Sequence, residues 1–258
     1  MKEITAAQQQ LFERRSWRAK YAELVVGRTD WASLLRYEAV LALSQWVPGA
    51  PGLALRRLLY PSLLGSCGRN VIFGQNVVLR HPHKVHVADN VVIDDNCLID
   101  AKGRDNTGIW IGEGGFIGRN TILSCKNGDI VLGANVNVGF NCEIFSGSCV
   151  TIGAGTMLAA YCYVIGGDHG AFDAEVPVAE RPRTSRGVTI GPGGWLGAGA
   201  KIFDGVTVGA RAIVGAGAVV RRDIPDGAVA VGIPARLLEQ KPGPVASEQA
   251  AQNGSPDL

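Results

Sequence analysis

From Val71 onward, one hydrophobic position recurs every six residues. In VIFGQN, IVLGAN, VTIGAG, GWLGAG and AIVGAG a large aliphatic residue is followed by glycine, and a small or β-branched residue usually stands two places earlier. Counting the aliphatic residue as position i, the series runs Phe73, Leu79, Val87, Ile93, Ile99, Ile111, Ile117, Leu123, Leu132, Val138, Ile144, Ile152, Leu158, Val164, Ile190, Leu196, Ile202, Val208, Val214 and Val220. Inward side chains at i−2 and i predict a very short strand between two bends, repeated along the chain.

The series sorts into threes, as faces A, B and C of a prism. Every departure from six-residue spacing falls between B and C, with 2, 6, 3, 2, 20 and 0 extra residues in successive coils. At i+1, 14 of the 20 residues are Gly, Ala or Asp, which suits a tight bend. The six exceptions are Arg80, Ser124, Phe145, Ile165, Phe203 and Arg221, and all follow face B. Both signs predict a ridge of loops along the B–C edge, and loops on a rigid scaffold commonly carry chemistry.

The pattern changes at both ends. Residues 1–66 carry no hexads; ITAAQQQLFERRSWRAKYAELV and SLLRYEAVLALSQWV read as helices, the second ending at Pro48-Gly49, followed by the apolar stretch LALRRLLYPSLLG. This region holds nine Lys/Arg against five Asp/Glu, with Trp17, Trp31 and Trp46. Two readings stand, a basic amphipathic surface that contacts a membrane peripherally or helices that cap the open end of the prism. Residues 67–238 form the prism, and the polar tail 239–258, rich in Pro, Gly and Ser, reads as disordered.

Composition narrows the function. Glycine is twice as common as usual, 35 of 258 residues, without the three-residue period of collagen. A net charge of +2 gives no field for a polyanion, so nucleic acid is not an expected partner. The six cysteines include no C-x-x-C, and the N-terminus has no apolar signal-peptide core, which points to free thiols in a reducing cytoplasm. Cys97, Cys142 and Cys162 fall at i−2 on face B, where a small buried hydrophobe fits.

Of four histidines, His169 alone sits on the 20-residue insertion, VIGGDHGAFDAEVPVAERPRTSRGVTI. Histidine suits a general base near neutral pH. Hexads in threes, the long loop bearing His169, the stretch VTIGPGGWLGAGAKIFDGVTVGARAIVGAGAVVRRDIP and the closing VGIPARLL resemble the hexapeptide-repeat acyltransferases, most of all the maltose/galactoside O-acetyltransferases and their relatives in exopolysaccharide and lipopolysaccharide biosynthesis. The resemblance covers roughly residues 70–238. It implies an all-β, left-handed parallel β-helix of about seven coils with a helical N-terminal region. It also implies a homotrimer with acetyl-CoA in a groove between prisms, and direct transfer to a hydroxyl with His169 as base.

On the donor side the resemblance implies that Trp195 flanks the pantetheine arm, that Ala198 and Ala216 let CoA approach, and that Arg221 and Arg222 meet its 3′-phosphate, chemistry that suits arginine. Backbone N–H groups near Gly197 are the expected oxyanion donors. The acceptor side departs from the family. GFNCEIFSGSCVTIG stands where the sugar acetyltransferases have NFNLTIVDDYTVTIG, so their Asn and paired Asp become Gly139, Ser146 and Gly147. Maltose or galactoside is therefore not the expected acceptor. A saccharide or lipid-linked glycan precursor is, with Asn141, Ser146, Tyr161 and Asp168 as its polar contacts, and Lys126 and Asn127 as further ones.

Three rivals remain. A carbonic-anhydrase-type metal site would use His81 and His86 with a third ligand about one coil away, and no histidine occurs between His86 and His169, so no metal is expected; His81 and His83 then read as ridge or surface residues. A non-catalytic trimeric scaffold would not bind acetyl-CoA. Acetylation of a small non-sugar acceptor, of the antibiotic or serine type, would share the donor machinery.

Overall fold

The structure, a computed structural model, describes residues 2–3, 16–169 and 183–238. The expected tail and most of the long insertion lie outside the described residues. Three sheets of seven, seven and nine strands, parallel except for the last strand of the third, wrap into a three-sided solenoid of about seven coils.

All twenty predicted positions take their places on three faces. On face A, Phe73, Ile93, Ile117, Val138, Leu158, Leu196 and Val214 pair in that order from coil to coil. Face B runs Leu79, Ile99, Leu123, Ile144, Val164, Ile202 and Val220. Face C runs Val87, Ile111, Leu132, Ile152, Ile190 and Val208. None of the twenty is more than 3% exposed. Cys97, Cys142 and Cys162 are buried beside them, and all six cysteines are free thiols.

The prism is longer than the hexads suggested. It starts at Ser66–Cys67, paired with His86 and Val87, and continues through a bridge from Val208 to Ile224 and the strand Val229–Val231. Arg236–Leu237 then folds back antiparallel on that strand.

The corners also differ in their physics. The left-handed residue is at i+3, not i+1; at the A–B corner Asn76, Asn96, Asn120, Asn141 and Tyr161 hold φ between 55° and 62°, a region asparagine tolerates better than most residues. Glycine at i+1 answers a different need, close approach between coils. A Cβ on Gly133 would stand 2.7 Å from the Ala154 nitrogen, and one on Gly197 2.6 Å from the Ala216 nitrogen.

The N-terminal helices cap the open end. Helix α1, Trp17–Tyr21, runs on as one wider turn, Ala22–Val26, and stops at Gly27 with φ 76°. Helix α2, Trp31–Ser44, is capped by the Asp30 carboxylate, which accepts the Ser33 N–H at 2.8 Å. It ends before Pro48, which instead precedes helix α3, Gly49–Leu59. The Tyr37 and Tyr60 hydroxyls donate to the Leu79 and Val77 carbonyls of the first coil.

Arg56, one of the nine basic residues of this region, lies in the interior. It is 2% exposed, donating through Nε to the Phe73 carbonyl and through Nη1 to the carbonyls of Ser44 and Val47. Five carbonyls at or just after the helix end and in the first coil thus take their hydrogen bonds from one guanidinium and two tyrosine hydroxyls.

Candidate functional site

The B–C ridge is observed, and its longest member leaves face B after Tyr163–Gly166. Asp168–His169 is a two-residue strand paired antiparallel with Arg183–Ser185, placing His169 opposite Arg183 and Asp168 opposite Thr184. Lys2–Glu3 adds a third strand, Glu3 opposite Thr184. The backbone of His169 is therefore held at the root of the insertion; residues 170–182 lie outside the described residues.

The returning limb is tied down by a residue that the hexad pattern hid. Asp204 Oδ1 accepts the N–H groups of Arg186 and Gly187 at 3.0 and 2.9 Å and the Ser185 hydroxyl at 3.3 Å. Ser185 also donates to the Gly166 carbonyl at 2.9 Å and meets the Ser148 hydroxyl at 2.8 Å. The Asp-Gly pair at 204–205 follows Phe203 on the one coil without an insertion, and nothing in the hexad spacing marks it.

Ser146 lies just before the next coil's loop, opposite Cys125 and Gly166. Its hydroxyl is fully buried and has no hydrogen-bond partner among the described residues. Asn141 sits at the A–B corner, where Asn120 Nδ2 donates to its Oδ1 at 3.0 Å, so this oxygen serves the corner ladder. Tyr161, one coil on, is 62% exposed and meets Phe140 edge-on. The Asn127 oxygen accepts the N–H groups of Arg104 and Asp105, a loop-building role.

On the donor side, Trp195 projects from face A, half exposed, between Met157 and Ile213 of the adjoining coils. Ala198 and Ala216 are both exposed at the A–B corner of successive coils, joined where the Gly217 N–H donates to the Ala198 carbonyl at 2.8 Å. This leaves a shallow strip with no bulky side chain beside Trp195. Gly197 corrects one expectation: its N–H donates to the Val214 carbonyl at 2.7 Å, so it is spent in the ladder and cannot serve an oxyanion. Arg221 and Arg222 are exposed after face B of the seventh coil, and neither forms an ion pair among the described residues.

The candidate residues thus divide between two edges. Asn141, Tyr161, Gly197, Ala198 and Ala216 lie along A–B, with Trp195 on the adjoining face, whereas Ser146, Asp168, His169, Arg221 and Arg222 lie along B–C. Face B separates them within one chain. On that face, Phe145 and Tyr163 pack ring to ring at 5.8 Å with the Lys126 ammonium 5.4 Å above Phe145, an aromatic shelf beside the root of the insertion.

The other histidines do not converge. His81 is buried, and its Nε2 pairs with the Glu23 carbonyl at 2.8 Å, so it pins the helices rather than lining the ridge. His83 stacks on it, and burial together with Arg28 pushes the His83 pKa down to about 4. His86 instead packs on Trp110 and meets the Ser66 hydroxyl. Among the described residues no group of three His, Cys, Asp or Glu side chains is placed to hold a metal ion.

No protein-family model matches the chain. It is 38% identical over 148 residues to nodulation protein L of Rhizobium leguminosarum bv. viciae, an alignment covering 55% of this chain and 76% of that protein. It is 32% identical over 120 residues to WbbJ of Escherichia coli (strain K12), provisionally named a lipopolysaccharide biosynthesis O-acetyl transferase, covering 44% and 61%. The chain spans 43–61% of the length of three curated relatives that it matches. Among solved structures, that of the polySia specific acetyltransferase NeuO superposes with a TM-score of 0.52 over 72% of this chain and 92% of the other, at 20% identity, a likeness of fold.

Proposed function

The chain belongs to the hexapeptide-repeat acyltransferases, and from that premise we propose that it is an acetyl-CoA-dependent O-acetyltransferase acting on a saccharide or lipid-linked glycan precursor of exopolysaccharide or lipopolysaccharide biosynthesis. The observation that carries the reading is the root of the B–C insertion, which fixes the backbone of the one histidine on the longest loop of the ridge. The relationship to WbbJ supports the saccharide class. The aromatic shelf of Phe145 and Tyr163 supports it too, since sugar rings present apolar C–H faces to such surfaces.

In this reading the acceptor hydroxyl gives its proton to the His169 imidazole as its oxygen attacks the thioester carbonyl of acetyl-CoA, the donor substrate. The C–S bond then breaks, and the proton passes from the imidazolium to the leaving CoA sulfur. No covalent acyl-enzyme forms. The bare strip at Ala198 and Ala216 suits close approach of the pantetheine arm along Trp195, and the unpaired Arg221 and Arg222 suit the 3′-phosphate.

Because the candidate residues lie on two edges of one prism, the reading includes a homotrimer in which the A–B edge of one copy faces the B–C edge of the next. The outward row of face A supports this contact, with Ile72, Met157 and Trp195 exposed along one line. The reading also places the protein in the cytoplasm, peripheral at the inner face of a membrane.

A mass-spectrometric screen of saccharide acceptors with acetyl-CoA tests the proposal. The expected outcome is an acceptor heavier by one acetyl group, formed at a rate that falls roughly 10²–10⁴-fold in His169→Ala, the usual contribution of a positioned base. Unchanged turnover in that variant contradicts the assigned base.

A further inference from the structure

Helix α2 is apolar on both sides. Its inner side carries the buried Leu34, Tyr37 and Val40. On a 3.6-residue wheel its outer side is formed by Trp31, Leu35, Ala39, Ala42 and Leu43, with Glu38, which accepts the Tyr21 hydroxyl, at one edge and Trp46 just beyond the helix end, all exposed. Trp31 is 60% and Trp46 69% exposed, and Trp17 beside them 82%. Water is a poor partner for such a face, and contiguous exposed apolar surface of this kind marks an interaction site.

Arg36 borders that face and leads into a shallow cleft, open to solvent and lined by Arg28, Ser33, Arg36, Ser62 and His83 among others. Its lining contains two guanidinium groups, an imidazole and three hydroxyls, of which that of Tyr37 is already given to the Leu79 carbonyl, and no carboxylate. Neither arginine forms an ion pair among the described residues, and the nearby Asp30 is turned onto the Ser33 N–H as the helix cap. His83 Nδ1 is buried without a hydrogen-bond partner among the described residues. This donor set fits a phosphate ester, which arginine binds through paired N–H groups.

We propose that the outer face of α2 docks on an anionic phospholipid surface, with the Arg28–Arg36–His83 cleft receiving a headgroup phosphate. Charge complementarity and the position of the two features side by side select this occupant. Tryptophan belongs at the membrane–water boundary, and unpaired arginines beside it favour anionic lipid. No helix among the described residues is long and apolar enough to cross a membrane, so the contact is peripheral. The inference deepens the peripheral membrane placement of the reading above and is independent of the assigned chemistry.

Flotation of the full chain with phosphatidylcholine vesicles, with and without phosphatidylglycerol, tests it, alongside calorimetric titration with inorganic phosphate. The expected result is binding to the phosphatidylglycerol vesicles, weakened about thirtyfold in Arg28→Gln/Arg36→Gln by the loss of two surface cations. Trp31→Ser/Trp46→Ser weakens binding to both vesicle types. Acetyl transfer to a water-soluble acceptor stays unchanged in both variants, which separates this proposal from the catalytic one. Absence of flotation, flotation indifferent to the arginine pair, or binding of free phosphate without vesicles overturns it. So does a change of oligomeric state, in place of lost flotation, in the tryptophan variant, because the face would then be covered by a second copy.

Discussion

At the scale of single residues, the proposed donor contact rests on Arg221 and Arg222. Two adjacent cations, exposed and unpaired among the described residues, stand at a corner where the other coils place loops. If they meet the 3′-phosphate of CoA, Arg221→Ala/Arg222→Ala raises KM for acetyl-CoA by roughly tenfold or more, from the loss of charge-assisted hydrogen bonds. In steady-state kinetics kcat holds, and the preference for CoA over its 3′-dephospho form disappears. Equal loss for both donors would assign the pair to the surface instead. The corner asparagines make the opposite point, since their positive φ and ladder bonds account for them without any ligand.

The capping helices carry a pH dependence at the scale of an element. Burial lowers the pKa of His81, and burial with Arg28 lowers that of His83 to about 4, so the folded state holds both rings neutral. In the unfolded chain imidazole takes a proton near pH 6.5. The unfolded state therefore binds more protons below that value, and stability present above about pH 6.5 is lost as pH falls towards about 4. Hydrogen exchange of α2 followed across this window should quicken in acid, and His83→Asn should flatten the response. An α2 that exchanges at one rate throughout contradicts the assignment.

Elements were legible to unequal degrees. Hexads report an inward side chain at fixed spacing, so the faces, their register and the inserted corner could all be read from Phe73 to Val220. Ser66–Cys67 lacks the aliphatic-glycine signature, and in Val229–Val231 the residue in register with Val214 is Ala230, which leaves the Val231-Gly232 pair one residue out of step. Burial of Arg56 was hidden because its partners are carbonyls from three separate segments, which no local pattern encodes. Asp204 was hidden for the same reason, as its partners lie 17 to 19 residues earlier. Of the candidate site, sequence located the loop and its histidine; it misjudged Gly197, whose N–H belongs to the coil-to-coil ladder.

At the scale of the molecule, a three-sided prism keeps its two chemical edges apart, and catalysis in the proposed form requires a second copy. Each composite site would draw His169 from one chain and Ala198 from the next. His169→Ala alone and Ala198→Trp alone, the latter blocking the bare strip, should each form inactive homotrimers. The most direct test is to unfold the two inactive variants together, refold them as mixed assemblies, and measure acetyl transfer from acetyl-CoA. The account predicts that activity returns, to about a quarter of the wild-type level for random assortment around a closed ring. Activity that stays at the level of the separate variants would place the whole site within one chain and contradict it.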